Sequence, residues 1–335
     1  MSETRDNVAS IIERIRPVEA GAPVVAAHFL GAAAFFALGE EDIVVVPEGG
    51  EPRRVPAHSG GILATAADAD RVLTAGDDGK VVSINAKGET RTIATDPKRR
   101  WIDRVAAGPD GAVAWSTAKT ANVQTAKGQA KTIELASSAA GLAFAPRGMR
   151  LGIAHYNGVT LWFPNATARP EQLEWKGSHL DLTFSPDGKF LVTAMQEPTL
   201  HGWRLADRKD MRMSGYSAKV RSVSWSVDGD WLATSGSEQL ILWPFEGKDG
   251  PMGKQPKMLA PYEHRVAVVA CHPRQDVVAV GFEDGMVLLV RAEDGAEILA
   301  RKPGGGVASA LAWNPDGSTL AFGTDEGEAG IVNLS

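Results

Sequence analysis

Leu182-Thr183-Phe184-Ser185-Pro186-Asp187-Gly188 reads as one short strand followed by the tight turn that reverses it. Proline presets φ for a turn and glycine accepts positive φ, so the Pro-Asp-Gly step ends the apolar run. Residues 190–194 are apolar again, residues 196–199 turn, residues 200–205 form a third run, and a weaker fourth run lies at 211–213. Short apolar runs separated by closely spaced turn signals, with no helical period between them, predict antiparallel sheet.

The phrase returns along the chain. Val223-Ser224-Trp225-Ser226-Val227-Asp228-Gly229 and Leu311-Ala312-Trp313-Asn314-Pro315-Asp316-Gly317 are close copies. Residues 105–111, 142–148 and 269–275 are looser ones, and residues 24–31 and 62–70 are eroded ones. The period of roughly 40 residues is that of four-stranded propeller blades. The fold expected is all-β, a closed β-propeller of four-stranded antiparallel blades, with eight blades favoured and seven as the alternative. One domain is expected over residues 1–335, with residues 1–18 as lead-in and latch. The last copy ends at Leu334 without a fourth strand, and residues 12–18 are the candidate to supply it. Val8, Ile11, Ile12 and Ile15 also have the spacing of an amphipathic helix, so a short helix ahead of the latch is the other reading. Residues 246–257, rich in Gly, Pro and Lys, read as a mobile, solvated loop.

Three features carry a family resemblance. Gly215-Tyr216 stands just ahead of an inner strand, Pro261-Tyr262 holds the same place in the next copy, and Ala57-His58 keeps a histidine there. Tryptophan closes the third run at Trp162, Trp203 and Trp243, followed by Phe163, Arg204 and Pro244. The pattern resembles the WD-repeat β-propeller family, with its Gly-His opening and Trp-Asp close, as a divergent member. The resemblance implies a buried His-Asp hydrogen bond, for which copy two offers His58 and Asp77.

The bulk composition narrows the function. A net charge of −6 argues against a nucleic-acid binder and against docking on anionic lipid. One cysteine, Cys271, excludes an intrachain disulfide and reads as a small buried hydrophobe in a reducing compartment. Residues 1–16 carry Glu3, Asp6 and Glu13 and no apolar core of leader length. The apolar run 22–38 is punctuated by Pro23 and Gly31 and is short for a membrane span. A soluble cytoplasmic protein is expected, with no nucleic-acid or membrane partner.

No catalytic set emerges. There is no phosphate loop, no His-Glu-x-x-His pair and no cysteine cluster. Neither a cofactor nor a metal is expected; His28 and His272 share a slot at the end of the inner strand in copies one and seven, too far apart to ligate one ion. The carboxylates of Asp77, Asp187, Asp228, Asp284 and Asp316 fall in turns, where aspartate bonds nearby backbone N–H groups, and are read with His58 as structural.

The loops that enter the innermost strands carry the candidate partner site. In the resembled family these loops ring one face of the propeller. Here they hold Arg99, Arg100, Trp101 and Arg104, then His179, then Arg221, then His264 and Arg265. Arginine and tryptophan dominate binding hot spots, and a locally basic rim suits an acidic or aromatic peptide. Trp101 is read either as a partner anchor or as packing between sheets; Tyr216 and Tyr262 are read as packing. The expected function is a non-catalytic scaffold for a protein or peptide partner. The alternative is an enzyme or small-ligand binder using the central channel.

Overall fold

The computed structural model describes residues 8–334. Within them the chain forms strands, turns and two single-turn 3-10 segments, Ile12–Arg14 and Pro109–Gly111. The second and third strands of most copies are largely buried. Val113–Thr117 and Leu240–Pro244 are buried at every residue, which requires a neighbouring sheet on each side. Outer strands are charged and exposed, as in Ala130–Glu134, and so blunt an edge that would otherwise invite pairing.

The turns form by the chemistry of their aspartates. Asp187 accepts the Ser185 hydroxyl at 2.7 Å and the Lys189 N–H at 3.0 Å, beside Gly188 at φ 75°. Asp228 accepts the Asp230 N–H at 2.9 Å, and Asp316 accepts that of Ser318 at 2.8 Å. Burial opposes ionisation of Asp187 and Asp228, but these bonds outweigh it and hold both carboxyls below their ordinary range.

The strands hydrogen-bond into seven sheets, not the eight separate ones favoured from the sequence. Five have four strands, one has five and one has six. The six-stranded sheet arises where copies four and five meet. Strand Glu171–Phe184 pairs with Leu151–Trp162 through its first part and with Phe190–Met195 through its second. No proline interrupts Trp175-Lys176-Gly177-Ser178, so the outer strand of one copy runs straight into the inner strand of the next. Leu151–Trp162 itself doubles back at Asn157 and Gly158, since His155 Nε2 reaches Thr160 Oγ1 at 2.8 Å, far nearer than five residues of straight strand allow.

Among the described residues no sheet closes on itself. Neighbouring sheets are instead tied through their inner strands. Trp225 Nε1 donates to Thr183 Oγ1 at 2.9 Å, and Trp313 Nε1 to the Ala270 carbonyl at 3.0 Å. The first and last copies meet in the same way. Val24–Leu30 lies against Ala308–Trp313, the Ser309 hydroxyl donates to the Val24 carbonyl, and Phe36, Leu38 and Val44 share a core with Ala310 and Ala321.

The segment ahead of the first copy joins the last one. Ile15–Glu19 pairs antiparallel with Glu328–Asn333 as the fourth strand of its sheet. Residues 12–14, expected in that strand, make the 3-10 turn instead, and no α-helix forms over residues 8–15. Ala9–Ser10 pairs parallel with Ile298 and Leu299 of the preceding sheet, so the segment straps two sheets together. The loop at 246–257 is corrected as well: it is docked rather than merely solvated. Phe245, at its start, meets Phe190 edge-on at 5.3 Å, Pro251 is buried, and the Arg204 guanidinium pairs with Asp249.

Candidate partner-binding face

In an antiparallel meander, the link from one sheet to the next and the hairpin between second and third strands emerge at the same end. That end gathers the loops at residues 57–61, 96–103, 175–178, 214–222 and 260–265. The loop at 96–103 is built from beneath. Asp96 is 6% exposed. Its oxygens accept the backbone N–H groups of Lys98 at 3.0 Å and Arg100 at 2.9 Å, and the Arg100 guanidinium at 2.8 Å. The Arg100 bonds hold the Asp96 carboxyl below its ordinary range. Ile102 is fully buried, and its N–H donates to the Gly76 carbonyl at 3.1 Å. Gly79 makes the close approach possible, because a Cβ there would stand 2.9 Å from Arg99 Cα.

On this fixed loop Trp101 is 67% exposed. It is not packed between sheets. Lys98 and Arg99 are exposed beside it, and among the described residues neither side chain forms an ion pair. Arg100 lies in the same loop but is spent on Asp96, so it positions the loop.

The remaining predicted site residues do not join this cluster. Arg104 points past the rim, donating to the Ala140 carbonyl and lying 3.8 Å from the Asp103 carboxylate. His179 is corrected from partner contact to core: it is fully buried, with Nδ1 2.8 Å from Thr193 Oγ1 and Nε2 3.0 Å from the Trp175 carbonyl. Burial pushes its pKa below the usual imidazole value. Arg221 and Arg265 line a separate cavity of about 720 Å³ with Lys219, Glu283 and Asp325. Arg265 Nε donates to Glu283 at 3.0 Å there. His264 stands 4.0 Å from Asp284. The rim is therefore not uniformly basic, since Glu283, Asp284 and Asp325 share it; among the described residues Lys98 and Arg99 beside Trp101 form no ion pair, and neither do Lys219 and Arg221.

The residues read as structural are also rearranged. His58 Nδ1 bonds Asp78 at 2.9 Å, not Asp77, and Nε2 bonds Thr74 Oγ1 at 2.8 Å. The Asp77 carboxylate is turned over Gly60, where a Cβ would stand 2.0 Å from its Oδ1. Tyrosine takes the histidine's part elsewhere. The Tyr262 hydroxyl donates to Asp284 at 2.7 Å, and the Tyr216 hydroxyl lies 3.0 Å from Thr234 Oγ1 while accepting Trp243 Nε1 at 2.7 Å. His28 bonds Thr65 at 2.8 Å, and His272 the Gly317 carbonyl at 3.0 Å. Among the described residues, no three His, Cys, Asp or Glu side chains are grouped to hold a metal ion. Burial pushes the Cys271 thiol up to about 12, which leaves it protonated near neutral pH.

Comparison with known proteins now bears on this geometry. Residues 209–243 match the family described as WD domain, G-beta repeat, and residues 269–335 match the anaphase-promoting complex subunit 4 WD40 domain. Both matches support a WD-repeat family member. The chain is similar to WD repeat-containing proteins 1-B and 1-A of Xenopus laevis, 34% and 32% identical over 77 residues. Each match covers 22% of this chain and 13% of the relative, so the chain corresponds to a small part of those proteins. The crystal structure of the computationally designed Ika8 protein is similar with a TM-score of 0.77 at 16% identity, covering 94% of this chain and 97% of that one. That likeness is one of fold alone.

WD-repeat propellers generally serve as protein-interaction scaffolds. In this chain, the sequence pointed to Trp101 but missed the two residues that present it, Asp96 and Gly79. Asp96-Pro97 is a turn-initiating pair, and that was the available signal for the first. Gly79 depends on a contact with a loop twenty residues on, which no local pattern encodes.

Proposed function

We propose that this WD-repeat protein is a non-catalytic cytoplasmic scaffold that captures a protein or peptide partner on its loop face, with Trp101 as the central anchor. One observation carries the reading: a tryptophan 67% exposed on a loop clamped by a buried carboxylate. An exposed indole gains apolar contact on binding, and a fixed loop loses little entropy when it docks. Lys98 and Arg99 beside it favour an acidic segment in the partner.

A site-specific photo-crosslinker tests the face. Placed at Lys98, it should capture partner protein; placed at Arg147, an exposed turn residue at the opposite end, it should not. Equal capture at both positions, or capture at Arg147 alone, contradicts the proposal.

A further inference from the structure

The inner strands repeat a bulge. Register shifts place Ala26, Ala64, Val268 and Ala310 at the same step after it, each in its own copy. The equivalent bulge in copy five brings Asp181 to that step. A small apolar residue is thus replaced by a carboxylate at one place in the channel wall. The wall accommodates it closely: a Cβ on Gly141 of the adjacent inner strand would stand 2.7 Å from Asp181 Cα and 3.0 Å from its Oδ1.

Asp181 lines a cavity of about 570 Å³ with Thr65, Asp103 and Arg104, the rest of the wall being mostly alanine and leucine. The Leu182 N–H donates to Asp181 Oδ1 at 2.8 Å. Arg104 lies within 4 Å of Asp103, and no such pair forms between Arg104 and Asp181. The cavity thus holds two carboxyl groups and one guanidinium. Asp181 opens on the channel yet is crowded by protein, and that desolvation raises its pKa despite the Leu182 bond and the field of Arg104. An ionised carboxylate in such a place gains most from a cation that pairs with it directly.

We propose that this cavity binds an alkylammonium or guanidinium group through Asp181. The group belongs either to a small organic cation or to a basic side chain entering from the loop face. Alkyl carbons of the ligand would lie on the alanine wall, and its charged end would meet the open lone pairs of Asp181. The site adjoins the Trp101 loop through Asp103 but rests on Asp181 and not on Trp101.

The test is a titration of the full chain with methylguanidinium chloride, with the peptide Gly-Gly-Arg-Gly-Gly and with sodium acetate, reading the Asp181 side-chain carboxyl carbon by NMR. Saturable movement of that resonance by the free cation identifies a small-molecule site. Movement by the peptide at tenfold or more lower concentration identifies a side-chain site. Followed at the Leu182 backbone amide, which adjoins the site, Asp181→Asn should weaken either at least tenfold, while Trp101→Ala should leave both unchanged. No saturable shift with either cation, or a shift with acetate alone, overturns the proposal. Should Asp181→Asn fail to fold, the wild-type titration decides by itself.

Discussion

The buried carboxylate of Asp96 holds the Arg100 guanidinium at 2.8 Å and, with the same two oxygens, the backbone N–H groups of Lys98 and Arg100. One side chain thereby fixes the loop that presents Trp101. Asp96→Ala removes charge-assisted bonds worth about 1.5–3 kcal/mol each at most. It should speed amide hydrogen exchange across residues 97–102 and leave exchange in Val113–Thr117 unchanged. Unaltered exchange in the loop would mean that Asp96 does not hold it.

The strand Ile15–Glu19 completes the sheet of Glu328–Asn333 and buries Val18 against the first copy. Deleting residues 1–19 exposes that edge and opens the seam between first and last copies. Melting should fall by at least about 3 °C, corresponding to a loss of roughly 2 kcal/mol or more. A truncated chain that melts with the full one removes the latch from the account.

Tyr216 joins Thr234 and Trp243 inside one sheet. Tyr216→Phe keeps the ring and deletes the hydroxyl, leaving the buried Trp243 Nε1 without its acceptor. A loss of about 1–3 kcal/mol in urea unfolding is expected. A neutral substitution would show that the triad is incidental to stability.

His28 and His201 are held neutral by burial, which lowers each pKa from the ordinary imidazole value of 6.5 to about 4. The unfolded chain then binds protons that the folded chain refuses. Their contribution is full above pH 6.5, declines as pH falls, and is lost below about 4. His201 is 1% exposed and stacks on Trp175 at 4.0 Å, and its share is on the order of 3 kcal/mol. Chemical unfolding at pH 7.5 and at pH 5 should show lower stability at the acid end, and His201→Phe should flatten that difference. A His201→Phe variant with the wild-type pH slope contradicts this assignment.

Much of the architecture was legible because repetition multiplies weak signals. Pro186-Asp187-Gly188 alone is a turn, but its copies at 227–229 and 315–317 set the period and so the propeller. The sheet count was not legible, because it depends on whether residues 175–178 break or continue a strand, and Gly177 at φ 123° permits continuation. The site divides in the same way. Trp101 stood out by type and position. His179 looked like its companions, yet Thr193 and the Trp175 carbonyl satisfy both of its nitrogens inside the sheet. Whether a polar side chain faces solvent or a buried partner is decided across strands, and a linear motif does not carry that information.

The most direct test of the account is the affinity of the captured partner for wild type and for Trp101→Ala, measured by calorimetry beside the melting temperature of each. Truncating an anchor of this kind costs about 2 kcal/mol or more, so affinity should drop at least tenfold. Melting should stay within about 1 °C, because an indole this exposed contributes little to the core. Unchanged affinity in a normally folded Trp101→Ala variant would contradict the claim that this residue anchors the partner.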